Sequence, residues 1–228
     1  RDMSYRGMEP ARRAAILERA ETMTPEAANS LLKFLEEPPP GFTAILIAPG
    51  PKSLPPTVVS RMQVVPFSPA DPAELEEALA AEGHPRMLAR LAAHLAPGLD
   101  GCRELLSDKG FAELRNLVIQ LGEESVSRLP DALLAAHRAF RADLAGRAEL
   151  LLDMLALWYR DIVLAGAGRG DRLVFADRAQ RIAELARRRG AGEWIRAAEQ
   201  ALAAVRRIRA NVSPQLALEH FLISTREG

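Results

Sequence analysis

One stretch constrains this chain's local structure more than any other: TPEAANSLLKFLEEPPPGF at positions 24–42, with LPPTVVSRMQ at 54–63. Thr24 suits a helix N-cap, Pro25 the first helical position, and Glu26 the positive end of the helix dipole. Ala27, Leu31, Leu32 and Leu35 recur at helical spacing and predict one apolar face. Pro38, Pro39 and Pro40 then stop the helix, since none can donate a backbone hydrogen bond and each pushes its predecessor out of the α region. TAILIAP, 43–49, is a short apolar run between Gly41 and Pro49 and reads as a buried strand. PPTVVSRM predicts a short helix carrying Arg61, and QVVPF, 63–67, reads as one more strand.

Composition narrows the classes of function. Thirty basic and 30 acidic side chains cancel, so no global field draws the chain to nucleic acid or to an anionic membrane. Any DNA contact is expected to be local or made by a partner. No run approaches the length of apolar residues needed to span a bilayer, about 18 or more. The opening RDMSYRGMEPARR lacks the apolar stretch of a leader peptide. A single cysteine, Cys102, excludes an intrachain disulfide and a cysteine metal cluster, and fits a reducing cytoplasm.

Three unequal pieces are expected. Residues 1–68 mix strand and helix: a strand over 14–17, the helix after Thr24, the strand at 43–49, the arginine helix and the strand at 63–67. Strands alternating with helices imply a parallel sheet with crossovers. Residues 69–120 read as short helices between Gly/Pro turns, with Asp71 as N-cap, Pro72 in the first turn, and a stop at Pro97-Gly98. Residues 121–228 read as helical almost throughout, broken near Gly146 and punctuated at Gly190, Gly192 and Ser213-Pro214. Nowhere does a phosphate-binding GxxxxGK[ST] loop occur.

Asn29, Leu31-Leu32-Lys33, Leu35-Glu36-Glu37-Pro38-Pro39, Pro56-Thr57 and Ser60-Arg61 together resemble the AAA+ clamp-loader family, and within it the delta-prime branch of bacterial DNA polymerase III. Relatives there read roughly N-x-LLK-x-LEEPP…LP-T-x-SRC; Met62 stands where cysteine is usual. The closing segment Asn211–Glu219 resembles the last helix of the family's collar domain. The resemblance is strong over 16–64 and 211–222, and weaker between. It implies a mostly α chain: the C-terminal part of an AAA+ α/β core (1–68), a small helical lid (69–120) and an all-α collar or oligomerisation domain (121–228). It also implies that the sequence starts partway through the AAA+ domain, after any phosphate loop and four-cysteine zinc module.

Several residues become candidates through that resemblance. Arg61 corresponds to an arginine finger, a permanently charged planar group that reaches the γ-phosphate of ATP on a neighbouring subunit; Ser60 would support its turn. Ile16 to Glu21 lie where a motor subunit's Walker B strand ends. Glu18 and Arg19 replace the Asp and Glu that hold metal and position water, so this half-site is expected not to hydrolyse ATP. In the lid, Cys102 and Arg103 fall where motor subunits carry a nucleotide-sensing arginine, and loss of that sensor is expected. Adjacent Glu36 and Glu37 diverge on a helix and suit capping or interface contacts better than shared acid–base work. His84, His94, His137 and His220 lack metal-ligand spacing, and Arg187-Arg188-Arg189 reads as a solvated helix end. Trp158, Tyr159 and Trp194 read as core or interface anchors.

The resemblance implies a non-hydrolysing clamp-loader subunit that binds no cofactor or metal itself, with ATP and Mg held by a neighbour. Its partners would be the gamma/tau motor subunits and the delta subunit and, through the complex, the sliding clamp and primed DNA, with no membrane. No catalysis is expected from the isolated chain within the DNA-directed DNA polymerase holoenzyme. Two alternatives stand beside this one: an ATP-hydrolysing gamma/tau-type subunit, and a helical adaptor without ATPase coupling.

Overall fold

A computed structural model describes residues 13–141 and 144–227. Residues 1–12, most of the opening segment that lacks a leader's apolar stretch, lie outside the described residues. Contacts divide the chain into two units, 1–68 and 69–228.

The first unit is built on a parallel pair of strands, β1 (Arg13–Leu17) and β2 (Phe42–Leu46), in register Arg13↔Phe42 through Leu17↔Leu46. Helix α1 (Pro25–Glu36) lies in the crossover between them. Its start follows the sequence reading: Thr24 is extended, and its hydroxyl accepts the Ala27 N–H at 3.2 Å. The apolar stripe begins one residue later than expected. Ala28, not Ala27, is buried, and Ala28, Leu31, Leu32 and Leu35 form the i, i+3, i+4, i+7 series. Phe34 meets Phe42 edge-on at 4.6 Å between ring centroids, tying α1 to β2. Helix α2 (Pro56–Val59) follows, with Val58 fully buried.

The strand expected over 63–67 is not formed. Pro66 offers no N–H to a ladder, and among the described residues the sheet has two strands. Val64, Val65 and Phe67 are exposed, Phe67 at 92%.

The second unit is all-helical: α3 (Pro72–Ala81), α4 (Arg86–Leu95), α5 (Leu99–Ser107), α6 (Phe111–Ser127), α7 (Leu129–Arg141), α8 (Ala148–Gly166), α9 (Ala179–Ala186), α10 (Ala191–Arg209) and α11 (Pro214–Glu227). The division expected at residue 120 falls inside α6. A single apolar cluster includes residues from Leu75 to Leu222. Helix α8 is its axis: Leu151, Leu152, Met154, Leu155, Trp158, Tyr159 and Ile162 are all fully buried, as befits a helix apolar on most of its circumference. Trp158 meets Phe175 edge-on at 5.1 Å, and Tyr159 stacks on Trp194 at 5.9 Å. Gly122 of α6 approaches Trp158 so closely that a Cβ there would lie 2.5 Å from the indole. The end of α10 uses Asn211 in the left-handed region, φ 64°, with the Val212 N–H returning to the Arg207 carbonyl at 3.0 Å.

Among the described residues, Asp161 is the most deeply buried polar side chain. Asp161 is fully buried; its Oδ2 accepts the Phe175 N–H at 2.8 Å, and its Oδ1 accepts from Arg160 at 3.1 Å. It thereby fixes the loop between α8 and α9. Burial pushes its carboxyl above the ordinary value, against the lowering effect of the Phe175 N–H and Arg160. Because the folded state then holds the proton more tightly than the unfolded chain, this group adds stability as pH falls through its raised pKa toward the ordinary carboxylate value, about 4. Urea titrations of parent and Asp161→Asn across that window should show the parent gaining stability relative to the variant on acidification. A gap that narrows or stays constant would contradict the assignment.

Candidate functional site: the arginine after helix α2

Two prolines, Pro55 and Pro56, start α2, and four residues later it ends. Ser60 remains in the right-handed helical region and its N–H returns to the Pro56 carbonyl, so Arg61 leaves the helix at its C-terminal end. There the last carbonyls are unpaired within the helix and attract cations. Arg61 Nη1 donates to the Thr57 carbonyl at 3.0 Å and to Ser60 Oγ at 3.3 Å. Ser60 Oγ itself donates to the Thr57 carbonyl at 3.0 Å. On its other edge the guanidinium meets Glu36, the last residue of α1: Nε lies 2.9 Å and Nη2 2.6 Å from the same carboxylate oxygen, Oε1.

Arg61 and Ser60 are therefore brought together, and Glu36 joins them from 25 positions away. The Arg61 side chain keeps 36% exposure, and no described residue takes the second Nη2 hydrogen. Chemically this is an ordered cation at the surface of the first unit with donor capacity to spare, suited to an anionic oxygen.

Other sequence candidates fall elsewhere. Glu18 and Arg19 are exposed immediately past β1, Arg19 in the left-handed region at φ 53° with its carbonyl accepting the Thr22 hydroxyl at 2.8 Å. Glu37 caps the end of α1 through its backbone N–H, which returns to the Lys33 carbonyl. Cys102 is fully buried in the second unit's core, and burial pushes its thiol pKa up, which disfavours a reactive thiolate. Arg103 is committed to Glu82, at 2.6 and 3.1 Å, and to Asp100 at 2.9 Å. These two carboxylates hold its guanidinium more firmly protonated than usual, Glu82 contributing most, and in turn Arg103 lowers the Glu82 carboxyl. Arg189, the last of the three-arginine run, donates to the Thr225 carbonyl at 2.8 Å and lies over the Trp194 ring, so it serves packing. Among the described residues, no group of His, Cys, Asp or Glu could hold a metal ion, and no helix is long and apolar enough to cross a membrane.

Glu36 as the partner of Arg61 was not visible in the sequence. The motif places both residues, yet only the return of the chain through β2 brings them within hydrogen-bonding distance.

Comparisons with known proteins give the chain its family setting. The family described as "DNA polymerase III, delta subunit" matches residues 1–71. Among solved structures, the DNA clamp loader delta protein of Bacillus subtilis is similar with a TM-score of 0.42 at 15% identity, over 94% of this chain and 77% of that one. DNA polymerase III subunit delta' of Bacillus subtilis (strain 168) is 33% identical over 229 residues, spanning 100% of this chain and 70% of that protein. An identity of that level along the whole chain places it in a family: this protein belongs to the DNA polymerase III delta' subunits.

Proposed function

We propose that this chain is a clamp-loader subunit that does not hydrolyse ATP itself and presents Arg61 to ATP held by an adjacent gamma/tau-type motor subunit. The observation that carries the reading is the ordered, partly exposed guanidinium at the end of α2, with an Nη2 hydrogen to spare. In phosphoryl transfer, negative charge spreads over the equatorial oxygens of the moving group, and a fixed cation aimed at them lowers the barrier. A permanently charged planar fork suits that task and needs no protonation step.

Glu18 and Arg19 support the non-hydrolysing part. A carboxylate must orient the attacking water, and a guanidinium at that place cannot accept its proton. The helical second unit would supply contacts with the delta and motor subunits, and the assembled complex would place the sliding clamp on primed DNA. With net charge zero, the chain itself is expected to add little long-range attraction for DNA.

The test is Arg61→Ala in the full-length subunit, reconstituted with its partners. Intact assembly with depressed ATP hydrolysis and clamp loading supports the reading. Unchanged turnover overturns it, and leaves the chain as a helical adaptor.

A further inference from the structure

We propose that Glu36 is a positioning residue for Arg61, holding the guanidinium in a single orientation before the phosphate arrives; this rests on the trans-finger reading above. Glu36 is an unexpected residue where it stands. It is the last residue of α1, where the negative end of the helix dipole disfavours a carboxylate. Lysine, arginine or histidine would stabilise that helix end better, so helix stability does not account for a glutamate here. The guanidinium does: Oε1 accepts the Nε hydrogen at 2.9 Å and lies 2.6 Å from Nη2 in an ion pair.

The pair contributes little to folding. Both side chains are substantially exposed, 36% and 50%, and an exposed ion pair adds little to stability because solvent screens it. What the contact does supply is order. A free arginine side chain has rotamer freedom that must be lost when it engages a ligand. Glu36 on one edge, and the Thr57 carbonyl with Ser60 Oγ on the other, remove that freedom in advance. The backbone on both sides of the pair is stiffened as well: Pro38, Pro39 and Pro40 follow Glu36 closely, and Pro55 and Pro56 precede Arg61. A weak, exposed tether orients the finger without competing strongly against a multiply charged phosphate.

The experiment is a double-mutant cycle on ATP hydrolysis by the reconstituted complex, with kcat and KM measured separately. Glu36→Ala should lower kcat at the site facing Arg61 by about tenfold, within the range that small misplacements of catalytic groups cost. KM for ATP and assembly should stay unchanged. Glu36→Gln, which keeps an acceptor oxygen at the same reach, should recover most of the rate. In an Arg61→Ala background, Glu36→Ala should have no further effect, because its role is exercised through the arginine. Loss of rate that persists in that background would overturn the proposal, as would an unchanged kcat. A rise in kcat would identify Glu36 as a restraining latch and equally overturn positioning. If Arg61→Ala alone leaves turnover unchanged, the finger reading itself falls; if only the Glu36 substitutions are silent, the finger stands and the positioning role falls.

Discussion

Replacing Arg61 by alanine should slow ATP hydrolysis at the one site it faces by about 10³-fold or more, the usual worth of an arginine finger. The magnitude follows from where the charge acts. Within a subunit boundary that excludes water, a cation opposite the developing charge of the phosphoryl group is far less screened than at a free surface. Arg61→Lys should recover only part of the loss. A lysine keeps the charge, but as a single point on a flexible stem; it cannot bond Glu36 through one edge and a phosphate through another. Single-turnover hydrolysis at that site separates this effect from turnover at sites Arg61 does not face. Folding should be unaffected, because alanine removes only an exposed ion pair and two hydrogen bonds, to Thr57 and Ser60.

The second large effect is expected in the helical unit. Trp158→Ala should destabilise it by about 3–5 kcal/mol, the cost of removing a large aromatic from a closed core. Trp158 is fully buried, meets Phe175 edge-on, and lies directly under Gly122. The backbone of α6 at Gly122 already sits against the indole, so the surroundings cannot collapse easily into the vacated space. Single domains are stable by only about 5–15 kcal/mol, so the loss is a large share of the whole. Trp194 remains as the one tryptophan in this variant, stacked on Tyr159, and its fluorescence can follow urea unfolding. A marked fall in the urea midpoint is expected; an unchanged midpoint would contradict the packing described for α8.

Much of the first unit is legible in its sequence because its signals are local. A threonine before a proline and a glutamate starts α1; three prolines end it; an apolar run bounded by glycine and proline makes β2. Each depends on residues within a few positions. The errors have equally physical causes. Ala27 and Ala28 are both small and apolar, so composition could not fix the phase of the stripe, and packing placed Ala28 inside. QVVPF has strand-like residues, but a strand needs a neighbour, and Pro66 cannot donate to one.

What was not legible depends on distance along the chain. Arg61 was visible through its motif, while its contact with Glu36 required the chain to fold back through β2. Asp161 gave no sign of its role, because the N–H it accepts belongs to Phe175, in a loop 14 residues on. The close approach of Gly122 to Trp158 is likewise a property of two helices, α6 and α8, and of neither alone.

The central claim is that this chain supplies the transition-state half of an ATP site whose nucleotide belongs to a neighbour. Binding of ADP–aluminium fluoride, a mimic of the phosphoryl group in flight, tests it most directly when measured at the site facing Arg61 in the reconstituted complex. An interaction made only in the transition state should tighten that analogue by about 10²-fold or more in the parent relative to Arg61→Ala. Affinity for a non-hydrolysable ATP analogue should be nearly the same in both. Equal affinity of parent and variant for ADP–aluminium fluoride would contradict the trans-acting role of Arg61.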